Sequence, residues 1–273
     1  GKTLTTKGAY KDSLKEGKWL QYHSNGVLKS EQNYKKGLLI GEQKFYNNKG
    51  ILHYKNSLIE ITEKGKKITV KHGHFVAYYA DGQVSQEGNY EYDKKAGLWR
   101  EFNQKGELYR ETFYKNGKVH GINNNYNNEG KPEQKSEFYE EIEIDGKKLT
   151  NVFHGIKERY KGNGKIDSRE KYIYGKKEGT WESYHANGNL RESNTFKNNL
   201  QTGKSIAYDE EGNKIYDCTY DIIKNDSVNI SVKTGTELRW QKNILVSETT
   251  YKNGKENGMR KSYYPSGKTA QKQ

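Results

Sequence analysis

Histidine is the side chain best suited to proton transfer or metal ligation near neutral pH, and seven occur in this 273-residue chain. His72, His120 and His154 each immediately precede a glycine, His74 follows one, and His23 and His185 both stand one residue past an aromatic. A metal centre would need a fold that brings these positions into line. The positions equivalent to His72 hold Glu16, Ile40, Ala96 and Thr202 elsewhere in the chain, so the place reads as a permissive turn. Carboxylates are plentiful, yet Glu31, Glu87 and Glu111 return at one repeat offset. That recurrence marks a solvated strand face with lysine partners across the strand, not an acid–base pair. A phosphate-binding loop, a G-x-S-x-G elbow and an H-E-x-x-H helix are all missing. Cys218 is the only cysteine, so an internal disulfide, a cysteine-based zinc site and an iron–sulfur cluster are excluded, and it reads as a core filler. No catalytic residue, metal or cofactor is expected, and the chain reads as a non-enzyme.

The composition narrows the class further. Lys and Arg number 48 against 35 Asp and Glu, a net charge of +13. Leu, Ile, Val and Phe together make 48 of the 273 residues, a share low enough to indicate disorder on its own. The 23 tyrosines, seven phenylalanines and four tryptophans, with only two prolines, contradict that. Tyrosine buries a flat ring while its hydroxyl stays wet, which suits a thin structure. No window approaches the roughly 20 apolar residues of a spanning helix. Bases and acids are interspersed with no long stripe of one sign, so nucleic acid is an unlikely partner, while attraction to an anionic membrane surface stays open. The chain opens Gly1-Lys2-Thr3, the start expected of a processed chain, which favours an exported location (periplasm, surface or secreted) over the cytoplasm.

The elements that must position these residues are set by a repeat. Pairs of glycines nine residues apart run from Gly17–Gly26 through Gly97–Gly106 and Gly179–Gly188 to Gly258–Gly267, and a tenth unit opens at Gly235 without a closing glycine. Five residues after each opening glycine stand Tyr22, Tyr46, Tyr78, Phe102, Tyr126, Tyr160, Tyr184, Tyr208, Trp240 and Tyr263. All ten are aromatic, and they read as structural. A second register, eight residues past the closing glycine, holds Tyr34, Tyr90, Tyr114, Phe138, Tyr172, Phe196 and Tyr220, with Leu58 the exception. Asn-Gly and Asp-Gly pairs close many turns, as at Asn25-Gly26 and Asn116-Gly117, which favours hairpins. Leu28 and Tyr34 share parity and are expected on one face. Trp19 and Tyr22 differ in parity, so a bulge or a strong twist is expected near them.

The unit from Gly17 to Gly37, G-K-W-L-Q-Y-H-S-N-G-V-L-K-S-E-Q-N-Y-K-K-G, resembles a MORN repeat in its bacterial variant form, as found in proteins similar to the YwqK-type antitoxin family. The resemblance covers the chain from about Tyr10 to Lys268. It implies an all-β fold: an elongated, twisted antiparallel sheet of about ten successive hairpins, solenoid-like, in one domain over 1–273. It also implies a scaffold that binds lipid or protein, in the most specific version an antitoxin or immunity-type protein that blocks a partner toxin.

A longer period lies above the short one. Tryptophan two residues after the opening glycine occurs only at Trp19, Trp99 and Trp181, which divides the chain into modules 17–96, 97–178 and 179–257 with partial ends 1–16 and 258–273. The middle unit of each module carries extra residues that read as an extended hairpin. Their apolar members are Ile59, Ile61, Ile68 and Val70; then Ile142, Ile144, Leu149 and Phe153; then Ile222, Ile223, Val228, Ile230 and Val232. Two readings stand: these are the partner-binding residues, since insertions in repeat proteins tend to line the binding face, or they pack on the sheet as small local cores. The leading function is a non-catalytic scaffold for another protein of unspecified identity, in an unspecified oligomeric state. The alternative is an exported cell-envelope protein that is structural or binds lipid or glycan.

Overall fold

The structure, a computed structural model, describes residues 4–272; residues 1–3 and 273 of the two end half-units lie outside them. The described residues form strands and turns and no helix, and every strand pairing is antiparallel. The chain divides into two compact units, Gly1–Lys131 and Pro132–Gln273.

In the first unit the strands Thr6–Lys11, Leu14–Tyr22, Leu28–Lys35 and Gly41–Tyr46 pair in chain order, followed by Leu52–Glu63, Gly73–Tyr78, Val84–Glu91, Lys94–Phe102, Leu108–Lys115 and Lys118–Tyr126. The second unit repeats the plan from Pro132–Ile144 and Lys147–Tyr160 to Thr269–Lys272. In such a meander alternate turns fall on alternate edges. One edge is closed by two-residue turns such as Asp12-Ser13 (φ 50 and 62°) and Asn116-Gly117 (φ 53 and 81°), with both central residues left-handed as the sheet's twist requires. The other edge is closed by longer turns such as His23–Val27, where Gly26 N–H donates to His23 O at 2.9 Å, except at Lys242-Asn243 (φ 50 and 63°), a two-residue turn.

The glycine rhythm and the second aromatic register turn out to be one feature. Gly17 faces Tyr34, Gly97 faces Tyr114, Gly155 faces Tyr172 and Gly203 faces Tyr220 across the ladder, and Gly235 faces Tyr251 in the unit without a closing glycine. A Cβ on Gly97 would meet nothing within 4 Å, but its φ is +67°; backbone conformation, not space, demands glycine there.

No bulge falls in the strand between Trp19 and Tyr22, which lie on opposite faces as their parity requires; the extra residue is on the partner strand. Gln21 pairs with Ser30 and Tyr22 with Leu28, which leaves Lys29 unpaired. The same step leaves Tyr109, Asp167 and Arg191 unpaired in later hairpins. It also corrects the expectation for Leu28, because a residue inserted between Leu28 and Ser30 turns Leu28 to the face opposite Tyr34.

Each unit therefore has an indole face and a glutamate face. The most buried row lies on the indole face: Gln43 and Trp99 are 1% and 2% exposed, and Cys218 and Ser30 are fully buried. Trp99 lies flat over Gly88, donates Nε1–H to Asn89 O at 3.0 Å, and meets Phe75 and Tyr90 with ring centroids 5.6 and 5.1 Å away. The Lys95 ammonium caps the indole at 4.0 Å. Lys15 over Trp19 and Lys177 over Trp181 repeat that cap at 4.4 and 4.3 Å. At the third position Glu170 stands where Gly8 and Gly88 stand in the first two modules, and Trp181 is only half-buried.

Candidate functional site

On the glutamate face, cross-strand pairing places charged residues in one row. Glu87, Arg100 and Glu111 are consecutive partners in the first unit, and Lys135, Glu158, Arg169 and Glu182 in the second. Lys18 Nζ lies 2.9 Å from Glu31, Arg100 bridges Glu87 at 3.7 Å and Glu111 at 3.2 Å, and Arg169 bridges Glu158 at 3.0 Å and Glu182 at 3.8 Å. In four of these five pairings the expected lysine partner is instead an arginine, whose planar fork suits a carboxylate on either side. Such exposed pairs each contribute about 0–1 kcal/mol, so stability alone leaves most of the row's regularity unexplained.

The first aromatic register flanks this row. The hydroxyls of Tyr46, Tyr126 and Tyr184 donate to Glu31, Glu111 and Glu182 at 3.3, 2.8 and 2.7 Å, and Tyr160 donates to Glu158. All ten register residues, from Tyr22, Tyr46, Tyr78, Phe102 and Tyr126 to Tyr160, Tyr184, Tyr208, Trp240 and Tyr263, are half-buried. Tyr184 packs at the surface of a single layer, and its hydroxyl ties Glu182 to it. Burial and the Glu111 bond push the Tyr126 phenol up to about 12, and burial with the Glu182 bond does the same for Tyr184. The Lys18 bond holds Glu31 below the usual carboxylate range, as the Tyr160 bond does Glu158. The face thus presents fixed carboxylates, guanidinium groups and phenols with half-open rings. Tyrosine and arginine are the residues enriched at protein interfaces.

The insertions form extended hairpins, but their apolar residues do not share a face. Ile59 pairs with Val70 and Ile61 with Ile68, and alternation from Leu58 puts all four on the glutamate face of their unit. Ile142 pairs with Leu149 and Phe138 with Phe153, and these lie on the indole face, where Phe153 meets Tyr172 at 5.6 Å. In the third hairpin Ile222 lies on the indole face, whereas Ile223, Ile230, Val232 and Val228 lie on the other. Val70 is buried, Val228 is 65% exposed, and the remainder are half-buried. Within the second unit the two sets do not share a face.

The histidines tie turns together. His23 Nε2 meets Tyr46 O at 3.0 Å and His185 Nε2 meets Tyr208 O at 2.9 Å, each to the carbonyl 23 residues ahead. His154 stacks on Tyr174 at 4.5 Å, and His72 meets Tyr92 edge-on at 5.0 Å. Among the described residues no three His, Cys, Asp or Glu side chains converge in a metal-binding group. The lysine caps went unrecognised in the sequence, although Lys15, Lys95 and Lys177 each stand two residues before the opening glycine of a tryptophan-bearing unit.

The family model of the MORN repeat variant matches residues 15–36, 71–92, 95–116 and 177–198. Three of these four stretches are the tryptophan-bearing hairpins, which fits the repeat scaffold that the ladder defines. No curated protein matches the chain at a significant level. Among solved structures, the TcdB2–TccC3 crystal structure is similar at 12% identity and a TM-score of 0.19, over 98% of this chain and 15% of that one. The Tc holotoxin pore of Photorhabdus luminescens is similar at 12% identity and 0.19, over 94% and 15%. This chain spans about 15% of the length of those chains, and likeness at that level carries no functional argument.

Proposed function

We propose that the chain is a non-catalytic repeat scaffold that binds another protein through the glutamate face of its hairpins, in the manner of an antitoxin or immunity protein. The observation behind this reading is the row Glu87–Arg100–Glu111 and its counterpart Glu158–Arg169–Glu182, flanked by half-open tyrosines. Such a row supplies orientation and specificity through charge complementarity, with the rings supplying contact area. Affinity capture from the native cell with quantitative mass spectrometry tests it: the expected result is one partner in stoichiometric amount, released by high salt. Retention by liposomes or cell wall alone, with no stoichiometric protein, contradicts it.

A further inference from the structure

The fold assembles a stripe of positive charge that is scattered in the sequence. In the first unit the five two-residue turns lie on one edge, and the six-residue segments 10–15, 34–39, 62–67, 90–95 and 114–119 around them hold eleven lysines and four acids. The corresponding segments of the other edge, 22–27, 46–51, 78–83, 102–107 and 126–131, hold three lysines and three acids. The second unit repeats the bias, with eight lysines and four acids against four and three. Lys35, Lys36, Lys64, Lys66, Lys94 and Lys115 are all exposed. The acids nearby are in part occupied by backbone: Asp93 accepts Lys71 N–H, and Glu16, just outside these segments, accepts Lys36 N–H, both at 2.7 Å.

The edge is not level. Five residue pairs, Ile59–Val70 to Glu63–Lys66, carry one hairpin beyond the Leu58–Lys71 pair, whereas its neighbours carry a single such pair, Lys35–Leu38 and Glu91–Lys94. Four extra pairs make a step of about 13 Å at the strand rise. A stiff flat surface resting on the Lys64-Gly65 tip stays clear of the tips beside it, while a flexible chain can follow the step. Tips two strands apart recur about every 10 Å, so the five span roughly 40 Å. We infer that this edge of the first unit binds a linear phosphate polymer, a nucleic-acid strand or inorganic polyphosphate, by its charge and without reading sequence. The inference is independent of the protein-binding face.

Fluorescence anisotropy with labelled oligothymidylate tests it, with unlabelled polyphosphate as competitor and phosphatidylserine vesicles in a parallel sedimentation assay. The expected result is binding whose logarithm falls linearly with log salt, with a slope of about −0.7 per phosphate engaged. Lys35→Glu, Lys36→Glu, Lys94→Glu and Lys115→Glu together should weaken it about tenfold or more. Lys29→Glu, Lys49→Glu, Lys105→Glu and Lys131→Glu, an equal charge change toward the other edge, should weaken it less than about threefold. The corresponding Lys→Gln set guards against misfolding and should give a smaller loss in the same order. Displacement of bound oligothymidylate by polyphosphate shows that the phosphates carry the contact and upholds the site. Equal losses from the two edges, no binding at low salt, or binding to vesicles only overturns it.

Discussion

Gly88→Ala isolates the packing on which the indole face depends. A Cβ at position 88 would lie 2.3 Å from Trp99 Cδ2, 2.4 Å from Cε2 and 2.5 Å from Cγ, against the roughly 3.5–4.0 Å at which carbon atoms rest. The indole must lift by more than about 1 Å. It is held by its Nε1–H bond to Asn89 O, by Phe75 and by the Lys95 cap, and it is 2% exposed. Overpacking of this kind costs about 1–3 kcal/mol, and loss of the indole hydrogen bond adds about 1 kcal/mol. Position 88 has no left-handed φ, so alanine introduces no backbone strain and recovers about 0.5 kcal/mol of chain entropy. The net expectation is a loss of about 2–3 kcal/mol, bounded above by the cost of deleting a buried tryptophan. Urea denaturation of the intact chain, followed by tryptophan fluorescence, measures it, with Gly162→Ala as control because a Cβ there meets nothing within 4 Å. If Gly88→Ala shifts stability no more than the control and leaves the emission unchanged, the indole does not rest on that glycine and the assigned face is wrong.

Other outcomes follow from the same geometry. Trp181→Ala should destabilise less than Trp99→Ala in the same melts, because Glu170 keeps Trp181 half-open. Tyr184→Phe removes the 2.7 Å bond to Glu182 and should cost about 0.5–1.5 kcal/mol; an unchanged melt would show that bond to be dispensable. Tyr126, Tyr172 and Tyr184 have folded values raised to about 12 above an unfolded value of about 10. Their contribution is therefore complete below pH about 10 and is lost as pH rises toward 12, so melts between those limits should show falling stability together with late tyrosinate absorbance. Deleting residues 62–67 and rejoining the hairpin with a two-residue turn should leave the melt within about 1 kcal/mol, since Thr62, Glu63 and Lys64 are exposed; a larger loss would make that tip structural.

Much of the fold was legible because turns and glycines carry it. A left-handed residue is needed at each opening position, so glycine recurs there, and the ring opposite recurs with it. The face assignments were less legible. They depend on the bulge residue, which is Lys29, His53, Ser85, Tyr109, Asp167, Arg191, Ile215, Val246 or Ala270 according to the hairpin. An unpaired bulge residue needs no particular chemistry, so it leaves no shared mark in the sequence, yet it reverses every alternation that follows. The Glu–Arg row was half visible as a repeated glutamate, but Arg100 comes from a different offset while Arg169 takes the glutamate offset, with Glu158 and Glu182 at the offset of Arg100, so the alternation of charge exists only in the ladder. The basic edge was hidden for the same reason: its lysines lie about 25 residues apart in sequence and come together only when alternate turns fall on one side.

The most direct test of the glutamate face is a titration of the captured protein partner against two charge-inverted chains. Arg100→Glu with Arg169→Glu turns the triplets Glu87–Arg100–Glu111 and Glu158–Arg169–Glu182 uniformly acidic, and circular dichroism confirms that the sheet is intact. The prediction is a loss of affinity of about tenfold or more, with part of it recovered when Glu111→Arg and Glu182→Arg return one cation to each row. Unchanged affinity in both chains would place recognition elsewhere and contradict the proposed binding face.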